Sequence, residues 1–173
     1  MNQPYPRRIS LIGMPGSGKS TVGVLLAKRI GLAFVDTDLL IQEQEQATLA
    51  EIIARSSPFA LREIEEQVLL DMPITDSVIS TGGSVIYSPA IMTRLIDVST
   101  VVYLRARLDT VEYRISLAPD RGIASPGNHT LEDVYNERVP LYEQYSSLVV
   151  DVDTDTPETI IGRIISELDA LPS

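Results

Sequence analysis

The chain has 173 residues, of which 44% are hydrophobic and 22% charged, with 14 basic and 24 acidic residues and a formal net charge of −10. This length fits a single folded domain spanning residues 1–173, since domains commonly have about 100–200 residues. The acidic balance argues against a nucleic-acid partner, because binding a phosphate backbone needs a positive surface. The sequence has no cysteine and a single histidine, which argues against thiol catalysis, thiolate metal sites and histidine clusters.

Hydropathy along the chain favours a cytoplasmic protein without a membrane partner. No apolar run approaches the roughly 18 residues of a membrane span. The first eight residues contain basic side chains, but no apolar segment of secretory length follows them. We also expect a monomer.

Short apolar segments alternate with helical patterns along the chain. Strands are predicted at 8–12, 32–35, 78–80, 101–104 and 148–152. Helices are predicted at 20–30, 39–45, 49–54, 61–71, 89–96, 108–117, 131–145 and 157–168. This alternation predicts an α/β fold of three layers, with a mainly five-stranded parallel sheet and helices on both faces. Ligands of such sheets bind at the carboxyl ends of the strands.

A complete phosphate-binding loop follows the first predicted strand. Four free positions separate Gly13 from Gly18, and Lys19 and Ser20 follow at once. In such a loop the backbone N–H groups surround a phosphate, the lysine neutralises the outer phosphates and the serine hydroxyl ligates Mg²⁺. We therefore expect ATP and Mg²⁺ as cofactors, bound by the loop residues Gly13, Gly16, Ser17, Gly18, Lys19, Ser20 and Thr21.

Two carboxylates, Asp36 and Asp38, follow the second predicted strand. Two positions apart at a strand end, they can point the same way, so that one holds Mg²⁺ through water and the other accepts a hydrogen bond from a substrate hydroxyl. The alternative is a helix cap, because aspartate before a helix is common. The neighbouring phosphate loop favours the chemical role.

Arginines and glycines elsewhere carry weaker signals. Arg62 could simply pair with Glu66 on the surface of its helix, and the Gly82-Gly83 pair after the third strand could be an ordinary turn. Arg138 precedes Pro140, which is expected to kink or restart the helix. The segment 118–128 has two prolines and two glycines and predicts a loop. In a phosphate-handling protein it could be a mobile lid over about 118–130, with Arg121 stabilising the transferring phosphoryl group.

Together these motifs resemble the shikimate kinases. The shared features, in the same order and similar spacing, are the phosphate loop, Asp36-Thr37-Asp38, Arg62 with Ile64-Glu65-Glu66, the Gly82-Gly83 turn, and Arg138-Val139-Pro140-Leu141-Tyr142. The resemblance covers about residues 9–168. It implies a nucleoside-monophosphate-kinase-like fold and transfer of the γ-phosphoryl group of ATP to a hydroxyl, most simply from shikimate to shikimate 3-phosphate.

The resemblance also implies roles for single residues. Arg62 and Arg138 would clasp the substrate carboxylate, and Asp38 would bind the hydroxyls and assist deprotonation of the attacking one. The remaining implied roles are substrate contacts by Gly82 and Gly83, Mg²⁺ binding by Ser20 with Asp36 outside it, phosphate contact by Arg121, and adenine contact by Arg114. Lys19, Asp38 and Arg121 would be the catalytic residues.

Two departures from the family pattern concern the acceptor. Ser84 stands where the family usually has a third glycine, and Asp120-Arg121-Gly122-Ile123-Ala124 replaces the usual Arg-Pro-Leu-Leu of the lid. Alternatives are therefore the same chemistry on homoserine or another small hydroxy acid, or a nucleotide-binding module without turnover.

Overall fold

A computed structural model describes residues 5–117 and 129–171. In these two ranges five parallel strands form one sheet in the order β2-β3-β1-β4-β5. This confirms the predicted parallel sheet. The strands are β1 (Arg8–Ile12), β2 (Ala33–Asp36), β3 (Ser77–Ser80), β4 (Thr100–Arg105) and β5 (Leu148–Asp151).

The helices connect the strands and agree with the predicted segments, apart from their ends. α4 begins three residues earlier than predicted because the Ser57 hydroxyl accepts a hydrogen bond from the Ala60 N–H, with Pro58 in the first turn. The helices are α1 (Lys19–Ile30), α2 (Thr37–Glu45), α3 (Leu49–Arg55), α4 (Pro58–Asp71), α5 (Pro89–Val98), α6 (Leu108–Ser116), α7 (Leu131–Tyr145) and α8 (Pro157–Asp169), with a 3-10 turn at Val85–Tyr87.

Helices cover both faces of the sheet. From β1 to β2 the chain moves one way across the sheet, and from β2 through β5 it moves the other way. Because crossovers between parallel strands are right-handed, these opposite movements place α1 on one face and α5 and α7 on the other. α1 packs against α8, and α5 and α7 both contact β4.

The central strands are fully buried and fix the place of the site. Ile9, Leu11 and Ile12 of β1 are inaccessible to solvent, as expected for a strand covered on both faces. The register pairs Ser80 of β3 with Leu11 on one side and with Asp36 on the other. The carboxyl ends of β1, β2 and β3 therefore lie side by side, and polar residues follow each of them.

One sequence expectation needs correction. Pro140 was expected to kink or restart its helix, and it does not restart it, because α7 is continuous from Leu131 through Pro140 to Tyr145. The predicted lid falls largely on 118–128, outside the described residues, so the lid and Arg121 stay predictions. Within 5–117 and 129–171, no helix combines the length and apolar character needed to cross a membrane.

Candidate active site

The phosphate loop joins β1 to α1 in a conformation that only glycine adopts readily. Gly13, Gly16 and Gly18 have φ of 148°, 81° and 96°, in the range that side chains disfavour. A Cβ on Gly13 would lie 2.7 Å from the Leu104 carbonyl oxygen. Gly18 is the N-cap of α1, and in the described part of the chain no side chain caps that helix. The first N–H groups of α1 therefore face the loop, as they do in an anion-binding site.

Lys19 closes the loop from inside. Its Nζ donates to the carbonyl oxygens of Gly13 and Met14 at 2.7 and 2.8 Å, and the side chain is buried. An ammonium group held in a ring of backbone dipoles lies where the phosphates of a nucleotide would be neutralised.

Ser20, Asp36 and Asp38 meet beside the loop. The Ser20 hydroxyl donates to Asp36 Oδ2 at 2.6 Å, and Asp36 Oδ1 accepts from the Asp38 N–H at 3.0 Å. Asp36 is thus the N-cap of α2 as well as the partner of Ser20. The two carboxylates line the same cleft, but not through strand alternation, since α2 already begins at Thr37.

The Gly82-Gly83 turn is enclosed by side chains from other elements. A Cβ on Gly82 would overlap Oε1 of Glu65 and lie 3.2 Å from Oδ1 of Asp38. A Cβ on Gly83 would lie 2.8 Å from Pro15 of the phosphate loop and 3.0 Å from Nη1 of Arg138. The absence of side chains at these two positions lets four other segments, α2, α4, α7 and the phosphate loop, approach the turn.

Arg62 and Arg138 lie against the same aromatic ring. The guanidinium carbons of Arg62 and Arg138 lie 4.0 and 5.3 Å from the centre of the Tyr87 ring. Arg138 is 1% exposed and its Nε donates to the Tyr87 hydroxyl at 3.3 Å. The Nε of Arg62 is buried without a hydrogen-bond partner among the described residues. Arg62 is therefore no ordinary surface arginine, since one of its donors is buried without a partner in the described ranges.

These parts border one cleft of about 690 Å³. This volume suits small ligands, whose sites commonly measure about 300–1,000 Å³. The cleft is lined by the phosphate loop, by the two aspartates, by the glycine turn and by Arg138. Anion-binding groups and carboxylates thus share one water-accessible space, as transfer of a phosphoryl group to a hydroxyl requires.

Comparison with known proteins identifies the family. Residues 15–169 match the family model described as shikimate kinase. The chain belongs to the shikimate kinase family. The shikimate kinase of Paracidovorax citrulli is 37% identical over 82% of this chain and 80% of its own length. That of Mycobacterium ulcerans is 36% identical over 92% of this chain and 88% of its own length.

The solved structures agree. The shikimate kinase from Acinetobacter baumannii in complex with shikimate has a TM-score of 0.87 and 26% identity, and the match covers 95% of this chain and 93% of that chain. This confirms the three-layer phosphate-loop fold. As a member of the shikimate kinase family, the chain is an ATP-dependent kinase of a small molecule.

Arg114 lies behind the phosphate loop rather than in the cleft. Its Nη1 donates to the carbonyl oxygens of Gly16 and Ser17 at 3.3 and 3.4 Å, and its Nη2 donates to that of Val152 at 2.7 Å. It thereby connects the loop to the segment after β5. No local sequence pattern indicates this bridge, because Arg114 lies 97 and 98 positions from Ser17 and Gly16 and 38 positions from Val152.

The sequence assigned no role to Glu65 or Tyr142, and Ser84 was noted only as a departure from the family pattern. Glu65 is 3% exposed and accepts a hydrogen bond from the Ser84 hydroxyl, and both residues line the cleft. Tyr142 donates to the Gly83 carbonyl oxygen at 2.5 Å and so joins α7 to the glycine turn. Glu65 lies three positions after Arg62, on a buried face of α4. In the sequence its charged neighbours make this part of the helix look exposed to solvent.

Burial makes Glu65 unusual. Desolvation raises its pKa from 4.5 to about 7, with the nearby Asp38 carboxylate acting in the same direction. The Ser84 hydrogen bond, Arg138 and Arg62 oppose this rise in pKa because they favour the ionised form. A buried glutamate with such a pKa beside an aspartate is typical of functional sites.

Proposed function

We propose that the protein transfers the γ-phosphoryl group of ATP to a hydroxyl of shikimate, giving shikimate 3-phosphate. The observation that carries this proposal is that Arg138, whose guanidinium shares the Tyr87 ring with that of Arg62, lines the same cleft as Asp38 and the phosphate loop. A carboxylate bound by these arginines would hold a small polyol with a hydroxyl near Asp38 and the phosphates. The shikimate complex of the Acinetobacter baumannii relative supports this choice of acceptor.

The two arginines are suited to a carboxylate. A guanidinium binds a carboxylate with two parallel hydrogen bonds, which fixes orientation as well as position. Arg138 is held by burial and by Tyr87, and Arg62 has the unpartnered Nε. Such fixed donors lower the entropy cost of aligning the acceptor for attack. Gly82 and Gly83 line the same cleft, so their backbone is placed to contact the acceptor.

Asp38 is the group we propose to receive the proton of the attacking hydroxyl. As the hydroxyl oxygen bonds to the γ-phosphorus, the bond from that phosphorus to the bridging oxygen of ATP breaks and ADP leaves. The hydroxyl proton passes to Asp38. General-base assistance of this kind contributes about 10²–10⁴-fold to the rate.

The residues present fit ATP and Mg²⁺. The glycine loop and the uncapped α1 N-terminus suit phosphate oxygens, and the Ser20 hydroxyl with the Asp36 carboxylate forms an all-oxygen donor pair that Mg²⁺ prefers. Bound there, Mg²⁺ would neutralise phosphate charge. We infer that Lys19 exchanges its carbonyl partners Gly13 and Met14 for phosphate oxygens when nucleotide binds.

Further roles belong to the same proposal. Arg121, which lies outside the described residues, would stabilise the phosphoryl group from a lid. Arg114 would support the adenine side through its bonds to the phosphate loop and Val152. We also propose that the protein acts as a monomer in the cytoplasm.

The first test measures ADP release by the purified protein with Mg²⁺ and ATP. Shikimate, homoserine and gluconate are offered in parallel. We expect turnover with shikimate well above the other two. Turnover with homoserine alone would overturn the choice of acceptor while keeping the kinase, and ATP binding without acceptor-dependent turnover would indicate a binding module.

A second test replaces Asp38 by asparagine. We expect kcat to fall by about 100-fold or more, since the amide cannot accept the proton, while the KM for ATP stays within about threefold. Asp97→Asn, at an exposed position of α5, is the matched control. If Asp38→Asn turns over like the control, Asp38 is not the base.

A further inference from the structure

Ser84 and Glu65 form a buried pair that no role described so far uses. Ser84 directly follows the Gly82-Gly83 turn and is 8% exposed, whereas Glu65 lies on α4 and is 3% exposed. The Ser84 hydroxyl donates to Oε2 of Glu65. Both residues line the cleft. The hydrogen bond therefore connects the turn to a different helix at the wall of the acceptor pocket.

The other oxygen of Glu65 lies at the turn itself. A Cβ on Gly82 would overlap Oε1 of Glu65, and the same point lies 3.2 Å from Oδ1 of Asp38. Two carboxylates therefore approach Gly82 closely. If the Glu65 carboxyl group rotates, its oxygens change position relative to the Gly82-Gly83 turn and relative to Asp38, the proposed base.

Charged groups from several elements face Glu65. Asp38 of α2 disfavours the ionised form, while Arg62 of α4 and Arg138 of α7 favour it. Tyr142 of α7 is also near, and Glu65 acts on its hydroxyl. Burial disfavours the ionised form of Glu65, and the hydrogen bond from the Ser84 hydroxyl is the strongest of the interactions that favour this form. In a low-dielectric site, loss of such a donor shifts both the charge and the orientation of the acceptor group.

We propose that Ser84 is a positioning residue of the phosphoryl transfer, whose hydroxyl holds Glu65 as an oriented carboxylate and thereby keeps the Gly82-Gly83 turn and Asp38 in place around the acceptor. This inference rests on the proposed function. It assigns Ser84 a role through Glu65 and not through direct contact with the reacting atoms.

The backbone at Ser84 permits a clean test. Its φ and ψ are −91° and −3°, a conformation with negative φ that alanine adopts as readily as serine. Ser84→Ala removes only the hydroxyl. Ser77→Ala is the matched control, because Ser77 is another buried serine, at the amino end of β3, whose hydroxyl donates to the Thr75 carbonyl oxygen far from the cleft.

The first measurement is the pH dependence of kcat/KM for shikimate. Without the Ser84 hydrogen bond the ionised form of Glu65 is less favoured, so the acid limb of the kcat/KM profile should move to higher pH by about one unit. Below pH 7 the variant should then have roughly tenfold lower kcat/KM than the unmodified protein, and this difference should disappear as the pH rises further. Ser77→Ala should keep the profile of the unmodified protein. An unmoved acid limb in folded Ser84→Ala overturns the proposal. Ser84→Gly gives the same test if the alanine variant fails to fold.

A second measurement does not depend on turnover. Carboxyl ¹³C NMR of glutamate-labelled protein follows Glu65 directly, with Glu65→Gln identifying the resonance. Ser84→Ala should raise the pH at which this resonance titrates, whereas an unchanged midpoint overturns the link. If the unmodified protein does not use shikimate, the proposed function fails, yet this titration still decides whether Ser84 controls Glu65.

A double-mutant cycle completes the test. If Ser84 acts through Glu65, Ser84→Ala should weaken shikimate binding when Glu65 is present. In protein that already carries Glu65→Gln, Ser84→Ala should weaken shikimate binding further by less than about twofold. An equal loss in both backgrounds means that Ser84 acts by another route, and the proposal is then wrong.

Discussion

Single side chains in this protein derive their properties from burial more than from residue type. Arg138 has only 1% of its surface exposed, and it is held by the Tyr87 hydroxyl and ring. A buried charge is tolerated only where it is paired and hydrogen-bonded. Arginine suits this position because its planar group can contact an aromatic ring on one side and a carboxylate at its edge.

Arg138→Lys tests that geometry. Lysine keeps the charge but loses the planar, two-pronged donor set, so the KM for shikimate should rise by about 10–100-fold while the KM for ATP stays within about threefold. Initial-rate kinetics with each substrate varied in turn measure both. Arg163→Lys is the matched control, because Arg163 is an exposed arginine paired with Asp155. A lysine variant with unchanged KM for shikimate contradicts the proposed clasp.

At the scale of elements, the turn after β3 is where four other segments converge. Gly82 and Gly83 lie between Glu65 of α4, Asp38 of α2, Pro15 of the phosphate loop and Arg138 of α7. Tyr142 adds a hydrogen bond from α7 to the Gly83 carbonyl oxygen. The turn therefore couples the nucleotide side of the cleft to its acceptor side.

Gly82→Ala should disturb that convergence. The new Cβ overlaps Oε1 of Glu65, so we expect kcat/KM for shikimate to fall by about tenfold or more and the free energy of unfolding to fall by about 1–3 kcal/mol. Kinetics and denaturant unfolding provide the measurements.

Gly162→Ala is the matched control for this change. Gly162 lies inside α8 with no atom within 4 Å of its added Cβ, so alanine should stabilise by about 0.5–1 kcal/mol without altering kinetics. Equal behaviour of the two alanine variants contradicts the view that the turn is sterically closed.

At the scale of the whole molecule, the buried Glu65 links the site to global stability. Its pKa is about 7 in the folded protein, against 4.5 for the ordinary side chain. Between these pH values the folded state binds more protons than the unfolded state, so the free energy of unfolding falls as pH rises. The contribution of Glu65 is fully present below pH 4.5 and is lost as pH rises through about 7.

Glu65→Gln removes this dependence. Relative to the glutamine variant, the unmodified protein should lose on the order of 2–3 kcal/mol between pH 4.5 and pH 7. Urea unfolding at a series of pH values measures the difference between the two curves. Glu63→Gln, at an exposed position of the same helix, should run parallel to the unmodified protein. If the stability curve of Glu65→Gln also runs parallel to that of the unmodified protein, the raised pKa of Glu65 is contradicted.

Much of the architecture was predictable because its signals are local. The β1 segment, the glycines before Lys19, and the apolar spacing of α1 predicted a strand, a phosphate loop and a helix in that order, and the structure confirms them. Helix starts were less predictable where a single hydroxyl decides them, as Ser57 does for α4. The expected restart at Pro140 was wrong because a proline signals a break locally, whereas α7 is packed against β4 and continues.

The sequence by itself determined the fold class, the phosphate loop and the family, since each depends on residue types at fixed spacing along the chain. Only the tertiary structure decided that Arg62 and Arg138 share Tyr87, that Glu65 is buried beside Asp38, and that Ser84 donates to Glu65. Such contacts join residues distant in the chain, and burial, which sets the charge and orientation of these groups, arises only when the elements pack together.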